Sequence, residues 1–258
     1  MIKLSIIIPV FNGLDYTGKC LENLNRQLSA GTKVFHVSTH IILIDDGSGD
    51  GTASWVAANY SEVTILKGDG SFWWSGSINE GMKHAFDKLN NDFVLWWNND
   101  ILAADDYFLN LFNILQESCP DSVIGSKVFH ASDKNMVWGM GGFFNRVNGR
   151  KGMHAFNVPD SPDLQSSFEV NWLPGMGTLI SRKVYDRIGL LNSRDFPQYH
   201  GDSDYTFRAW LSGIKIIVRP ELKIYNNIEH SGLLHGYSYN LFLRSFVSIK
   251  SKYNFKKN

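Results

Sequence analysis

The chain has 258 residues, 43% hydrophobic and 19% charged, enough to bury a sizeable core. Its 25 basic and 25 acidic residues cancel, which removes the simplest argument for a nucleic-acid partner. The two cysteines, Cys20 and Cys119, show no metal-ligand spacing, and so sparse a pair fits a reducing cytosol better than a disulfide framework.

The opening run, MIKLSIIIPVFN, carries one lysine, and its apolar stretch stops at Pro9. It is too short for a bilayer and lacks a small-residue cleavage site, so it reads as a first core strand of a soluble, cytoplasmic protein. Short apolar runs at 4–10, 40–44, 63–67, 93–97 and 123–129 then read as strands buried on both faces. Amphipathic stretches at 15–28, 52–59, 77–89 and 105–116 read as the helices between them, with Asp50 or Thr52 capping the second and Asp105 the fourth. This alternation predicts an α/β fold: a mostly parallel central sheet flanked by helices. Beyond residue 130 strands are expected at 136–145, 170–172, 178–180, 214–218 and 224–228, helices at 183–188 and 203–211, and loops over 146–167. The whole reads as one domain with two subregions, 1–130 and 131–235, and a tail over 236–258.

In a parallel sheet, ligands bind beyond the carboxyl ends of the strands. There the sequence places Phe11-Asn12-Gly13, then Asp45-Asp46-Gly47-Ser48-Gly49-Asp50-Gly51, then Gly68-Asp69-Gly70-Ser71, then Asn98-Asn99-Asp100. Each alone reads as a turn; four on one edge read as a site. Neither common phosphate cradle is present. The position of the third glycine in a dinucleotide fingerprint holds Trp73, and no Gly-Lys-Ser/Thr ending occurs. Asp100 offers another route, since Mg²⁺ or Mn²⁺ is often held by one carboxylate together with substrate phosphates. His230, after the last apolar run, is a candidate partner for that metal or an ordinary structural histidine. In HGDSDYTFR, Asp202 and Asp204 suit a helix N-terminus, and equally a general base beside a donor phosphate. Phe72-Trp73-Trp74 reads either as sugar-contacting aromatics or as a packed helix entry.

Taken in order, SIIIPVFNG, LIDDGSGDGT, SGSINEGM, WNND, LPGMGTLISR and GDSDYTFR resemble the landmarks of family 2 glycosyltransferases over nearly the whole chain. Among them the chain is most similar to bacterial rhamnosyltransferase-like and galactofuranosyltransferase-like members. The resemblance implies the GT-A fold and an inverting, non-processive transfer from a UDP- or dTDP-sugar to a surface-polysaccharide or lipid-linked glycan. Pro9, Phe11 and Asn12 would line the nucleoside pocket, and Asp46 with Asp45 would accept from base or ribose. Asn79, at a helix start, would lie near the donor, and Asn98 and Asn99 would flank the diphosphate. Asp100 would be the principal metal ligand, completed by His230. Asp202 occupies the base position. Gly175 and Met176 belong to the acceptor-facing loop, while Asp204 and Arg208 would orient their helix or touch acceptor, and Trp73 and Trp74 would meet sugar.

Two positions depart from the family pattern. Asn98 stands where the first aspartate of a D-x-D is usual, and Gly201 where many relatives carry an acid. The Gln-x-x-Arg-Trp motif of processive synthases is absent, which fits one sugar per encounter. The final stretch has no acid after Glu229 but gathers Arg244, Lys250, Lys252, Lys256 and Lys257, with Phe242, Phe246 and Ile249 near helical spacing. Such a tail either meets an anionic membrane surface or packs on protein. Two other classes compete: a nucleotidyltransferase, which would show a basic Gly-rich N-terminal loop, and a non-catalytic carbohydrate-binding relative. Oligomeric state is not encoded legibly.

Overall fold

The computed structural model describes residues 1–117 and 121–227, with residues 30–34 described by their backbone alone. Cys119, His230 and the basic tail lie outside the described residues. The first half runs β1 (Ile2–Val10), α1 (Leu14–Phe35), β2 (Val37–Asp45), α2 (Thr52–Asn59), β3 (Thr64–Lys67), α3 (Trp73–Lys83, prolonged by a π turn, His84–Lys88), β4 (Phe93–Trp96), β5 (Ile101–Ala103) and α4 (Tyr107–Gln116). The second runs β6 (Ser122–His130), β7 (Met136–Gly139), β8 (Gly142–Phe144), β9 (Lys151–Met153), β10 (Val158–Pro159), a 3₁₀ turn (Pro162–Leu164), β11 (Phe168–Val170), β12 (Thr178–Ser181), α5 (Arg182–Ile188), α6 (Gly201–Leu211) and β13 (Lys215–Asn226).

Strands β3, β2, β1 and β4 lie side by side and parallel, as the apolar runs predict. β12 then enters antiparallel between β4 and β6. β13 runs parallel to β6, and β11 and β5 pair antiparallel along its length. β8 and β9 form a separate hairpin.

Strand side chains alternate between two cores. Leu4, Ile6, Ile8, Leu43, Leu95 and Trp97 meet α1, α2 and α4 on one face, through Cys20, Leu24, Val56 and Phe112. Ile7, Ile42, Ile44, Val94 and Trp96 meet α3, α5 and α6 on the other, through Ile78, Met82, Val184 and Tyr205. The tryptophans of LWWNND therefore anchor opposite layers. Trp96 packs edge-on to Tyr205 at 5.1 Å, and Trp97 edge-on to Tyr107 at 5.3 Å. Each aromatic pair of this kind adds about 0.5–1.5 kcal/mol beyond burial. The turn that follows is thus held by a strand fixed on both faces.

Several boundaries differ from the sequence reading. The third helix begins at Trp73, so Asn79 sits in its second turn and not at its start. The expected strand 136–145 divides into β7 and β8, and 170–172 shifts to 168–170. Short β9 and β10 interrupt the expected loop 146–167. The two predicted strands at 214–218 and 224–228 are one, β13, up to the end of the described residues. Asp105 caps no helix: it pairs with Arg26 at 2.9 Å in solvent. Asp50 accepts the Thr52 amide at 3.1 Å and the Leu14 amide at 3.0 Å, joining the starts of α2 and α1.

Candidate active site

The loops after β1, β2, β3 and β4 open on one edge of the sheet, because those strands are parallel and in register. The first two are laced together. The Asn12 amide donates to Ser48 Oγ at 2.8 Å, and the Gly49 amide donates to Asn12 Oδ1 at 2.9 Å. Asn12 takes the left-handed backbone (φ 60°), a turn conformation that asparagine tolerates. Phe11, just before it, is 62% exposed at this edge of the sheet. Pro9 ends the strand's buried run opposite Ile44.

Asp45 and Asp46 are both buried. Asp45 Oδ1 accepts the Ser48 amide at 2.8 Å and shapes its own loop. Asp46 reaches further: Oδ1 accepts from the Gly70 amide at 2.9 Å, and Oδ2 from the Trp73 amide at 2.8 Å. That second bond serves the first turn of α3, whose amides lack partners within the helix. Trp73 itself is held at φ 54°, costly for a bulky side chain. Gly68 is obligatory here, since a Cβ would lie 2.4 Å from Asp46 Oδ1.

The β4 turn and the acceptor-side loops meet through one indole. Trp74 Nε1 donates to Asn98 Oδ1 at 2.9 Å, while the Trp74 ring packs edge-on to Trp96 at 5.9 Å. The same ring covers the backbone of Gly175, where a Cβ would come within 2.3 Å of it. The Gly175 amide in turn donates to Asp202 Oδ2 at 2.8 Å, and the Ser203 amide to Asp202 Oδ1 at 2.7 Å. Asn99 Nδ2 donates to Thr17 Oγ1 at 3.0 Å, pinning the turn to α1. Asp100 stands between Asn99 and β5, and its carbonyl accepts the Asn227 amide at 3.3 Å. The chain leading to His230 thus starts beside Asp100, although His230 lies outside the described residues.

Among the described residues no three Asp, Glu, His or Cys side chains are grouped to enclose a metal. A hard Mg²⁺ or Mn²⁺ completed by substrate phosphates and water does not need them, and Asp100 at this mouth suits that donor set. Asn98 turns its amide oxygen to the Trp74 indole.

Other expected residues take structural roles. Asn79 clasps Leu191: Nδ2 donates to its carbonyl at 3.0 Å and Oδ1 accepts its amide at 2.9 Å. Met176 is 8% exposed and belongs to the core. Asp204 pairs with Arg208 at 2.9 Å, and Arg208 also donates to the Leu190 carbonyl at 3.0 Å, so both orient the α5–α6 connection.

Lys151 was not visible in the sequence. From β9 it reaches Ser203 Oγ at 2.8 Å and lies 4.3 Å over the Trp172 ring. The residue as a whole is exposed, but its amine end is partly shut off from water. That desolvation lowers its pKa against the opposing pull of Asp202. A cavity of about 410 Å³ beside α4 and β13, lined by Asn110, Asn113, Glu117 and Arg219, shares no residue with these loops.

Comparison with known proteins agrees with this architecture. The chain is 23% identical over 179 residues to the low-salt glycan biosynthesis hexosyltransferase Agl10 of Haloferax volcanii, covering 68% of this chain and 54% of that one. It is 26% identical over 239 residues to the poly(ribitol-phosphate) β-N-acetylglucosaminyltransferase TarS of Staphylococcus aureus, covering 90% of this chain and 36% of that one. It therefore spans about half or less of the length of these relatives. Among solved structures, GalNAc-T7 with UDP, GalNAc and Mn²⁺ superimposes with a TM-score of 0.67 at 12% identity, covering 88% of this chain and 44% of that one. The mannosyltransferase PcManGT of Pyrobaculum calidifontis, with GDP-Man and Mn²⁺, gives 0.61 at 16% identity, covering 94% and 60%. These likenesses establish the GT-A fold. The profile of glycosyl transferase family 2 matches residues 5–168, the stretch carrying the parallel strands and the Asp46 and Asp100 loops, and the chain belongs to that family.

Proposed function

We propose that the chain is a hexosyltransferase moving one sugar, with inversion, from a UDP- or dTDP-sugar to a hydroxyl of a surface-polysaccharide or lipid-linked glycan. The observation that carries this is the Asp202 carboxylate, fixed by two backbone amides and joined through Gly175, Trp74 and Asn98 to the turn bearing Asp100. We read this as a base held near a diphosphate site. In the reaction Asp202 removes the proton of the acceptor hydroxyl, whose oxygen bonds to the anomeric carbon from the face opposite the departing phosphate. The bond from that carbon to the phosphate oxygen breaks, and the nucleoside diphosphate leaves with the electron pair. A divalent cation held by Asp100, and by His230 if that histidine reaches it, would neutralise the leaving diphosphate. Phe11 and Pro9 would bound the base, Asn12 and the Asp45–Asp46 loop the ribose.

Support comes also from the neighbours. GalNAc-T7 and PcManGT are each recorded with nucleotide or nucleotide sugar and Mn²⁺. TarS and the poly(ribitol-phosphate) β-glucosyltransferase of Bacillus spizizenii are named for a poly(ribitol-phosphate) polymer. Among the described residues no helix is long and apolar enough to cross a membrane. The basic tail would supply peripheral contact with a membrane carrying a lipid-linked acceptor. The test is calorimetric titration of UDP and dTDP with and without Mn²⁺, alongside nucleoside diphosphate release from the matching sugars. Asp100→Ala should lose metal-dependent binding; Asp202→Asn should keep binding and lose turnover by about 10²-fold or more. Unaltered turnover in Asp202→Asn would refute the assignment of the base.

A further inference from the structure

We infer that Asn98 and Trp74 act as a positioning pair that sets the distance between the donor turn and the base, and that Asn98 is not a metal ligand. The inference rests on the transferase reading above. Asn98 occupies the site where a charged ligand would be expected, yet its side-chain oxygen accepts the Trp74 indole N–H at 2.9 Å. Trp74 contacts three further parts of the site. Its ring meets Trp96 of β4 at 5.9 Å, its edge covers Gly175, and its backbone amide donates to Gln198 Oε1 at 3.3 Å, shortly before α6. The neighbouring Ser75 amide donates to the Pro197 carbonyl at 2.8 Å, so the α3 entry is fastened to the α6 entry at two successive residues.

The geometry assigns each partner a function. Asp202 is held by the Gly175 amide. The indole closes directly on the Gly175 backbone because that residue has no Cβ. The indole is oriented by Asn98, two residues before Asp100. A shift at Asn98 is therefore passed to Asp202 through three contacts, with no change in what binds the metal. An amide at position 98 suits this task. It accepts from the indole as a carboxylate would, without adding another negative charge to a half-buried turn that already holds Asp100. Misplacing reacting groups by about 1 Å costs on the order of 10²-fold in rate.

The experiment compares Asn98→Ala, Trp74→Phe and the double variant, with UDP and dTDP plus Mn²⁺ as binding probes and diphosphate release as the rate. Each single variant should lower kcat about 10- to 100-fold while the nucleotide and Mn²⁺ affinities stay within about twofold. The double variant should be no worse than either single, because both remove one linkage. Asn98→Asp keeps the acceptor oxygen and should restore most of the rate. Gly175→Ala, whose Cβ would lie 2.3 Å from the Trp74 ring, displaces the same indole and should reproduce the kcat loss. Weaker Mn²⁺-dependent nucleotide binding in Asn98→Ala with Trp74→Phe unaffected would overturn the inference in favour of a ligand role. Additive losses would overturn the linkage. A wild-type chain with no nucleotide binding and no release would instead refute the transferase reading, and the inference with it.

Discussion

Asp46 is expected to hold the fold as much as any substrate, and removing it should show this without a ligand present. Both of its oxygens accept backbone amides from the next loop, Gly70 at 2.9 Å and Trp73 at 2.8 Å, and the residue is 4% exposed. Hydrogen bonds to a charged acceptor are worth roughly 1.5–3 kcal/mol each, so their joint loss removes roughly 3–6 kcal/mol. Part of this returns when Trp73 relaxes from its positive φ, a conformation that stores about 1–3 kcal/mol. Asp46→Ala should therefore lower stability by a net of about 2–3 kcal/mol. Asp46→Asn, which keeps one acceptor, should lose about half of that. Urea unfolding followed by tryptophan fluorescence, in nucleotide-free buffer, measures both. A loss below about 0.5 kcal/mol in Asp46→Ala would refute the argument and return Asp46 to a purely ligand-facing role.

Two further outcomes follow from buried titratable groups. Burial alone would raise the Asp160 carboxyl, but the hydrogen bond and charge of fully buried Lys127 outweigh it and hold it below the usual carboxylate range. A depressed folded pKa stabilises above the ordinary value near about 3.9 and is lost as pH falls through the folded value, so Asp160→Asn should flatten the acid limb of the stability profile. At pH 7 the same change strands the Lys127 charge and should cost about 3 kcal/mol, more than Lys127→Met, by urea unfolding. Burial pushes the Cys20 thiol up to about 12. In a Cys119→Ser background, folded protein should leave it unreacted with a thiol reagent at pH 8, reacting fully in denaturant; rapid reaction of folded protein would contradict the packing of α1.

The parallel half was legible because its strands announce themselves. Runs such as Ser5–Val10 and Phe93–Trp97 are buried on both faces and end abruptly in polar turns, and the structure puts those turns on one edge. What failed lay in long-range contacts. Asp69 and Ser71 precede Trp73 but cap nothing in α3; the Trp73 amide is satisfied by Asp46, 27 residues earlier. β13 was read as two strands because Pro220 interrupts the apolar pattern, whereas the chain absorbs the proline in a register shift between Arg219 and Lys223 against β6. β5 has three residues, too few for any period to show, and Lys151 lies in a strand equally short. Within the site, the pattern singled out Asp46, Asp100 and Asp202, but not that Asn79 clasps Leu191 or that Asn98 faces an indole. Those partners are contributed by segments that only the folded chain brings together.

β12 has a consequence for how such a site can be altered. It runs against β4, pairing Thr178 with Trp96 and Leu179 with Leu95, so the loop before it opens where the loops after the parallel strands open. Gly177 closes the junction by donating its amide to the Trp96 carbonyl at 2.9 Å. Spacing between the Asp100 turn and the loop that holds Asp202 is therefore a matter of strand registration. Sliding β12 by one residue would carry Gly175 about 3.3 Å along the sheet and reverse which side chains face each layer. The exposed tip at 146–150 is under no such restraint. Insertions there can re-cut the exposed surface while the ruler beneath keeps its length.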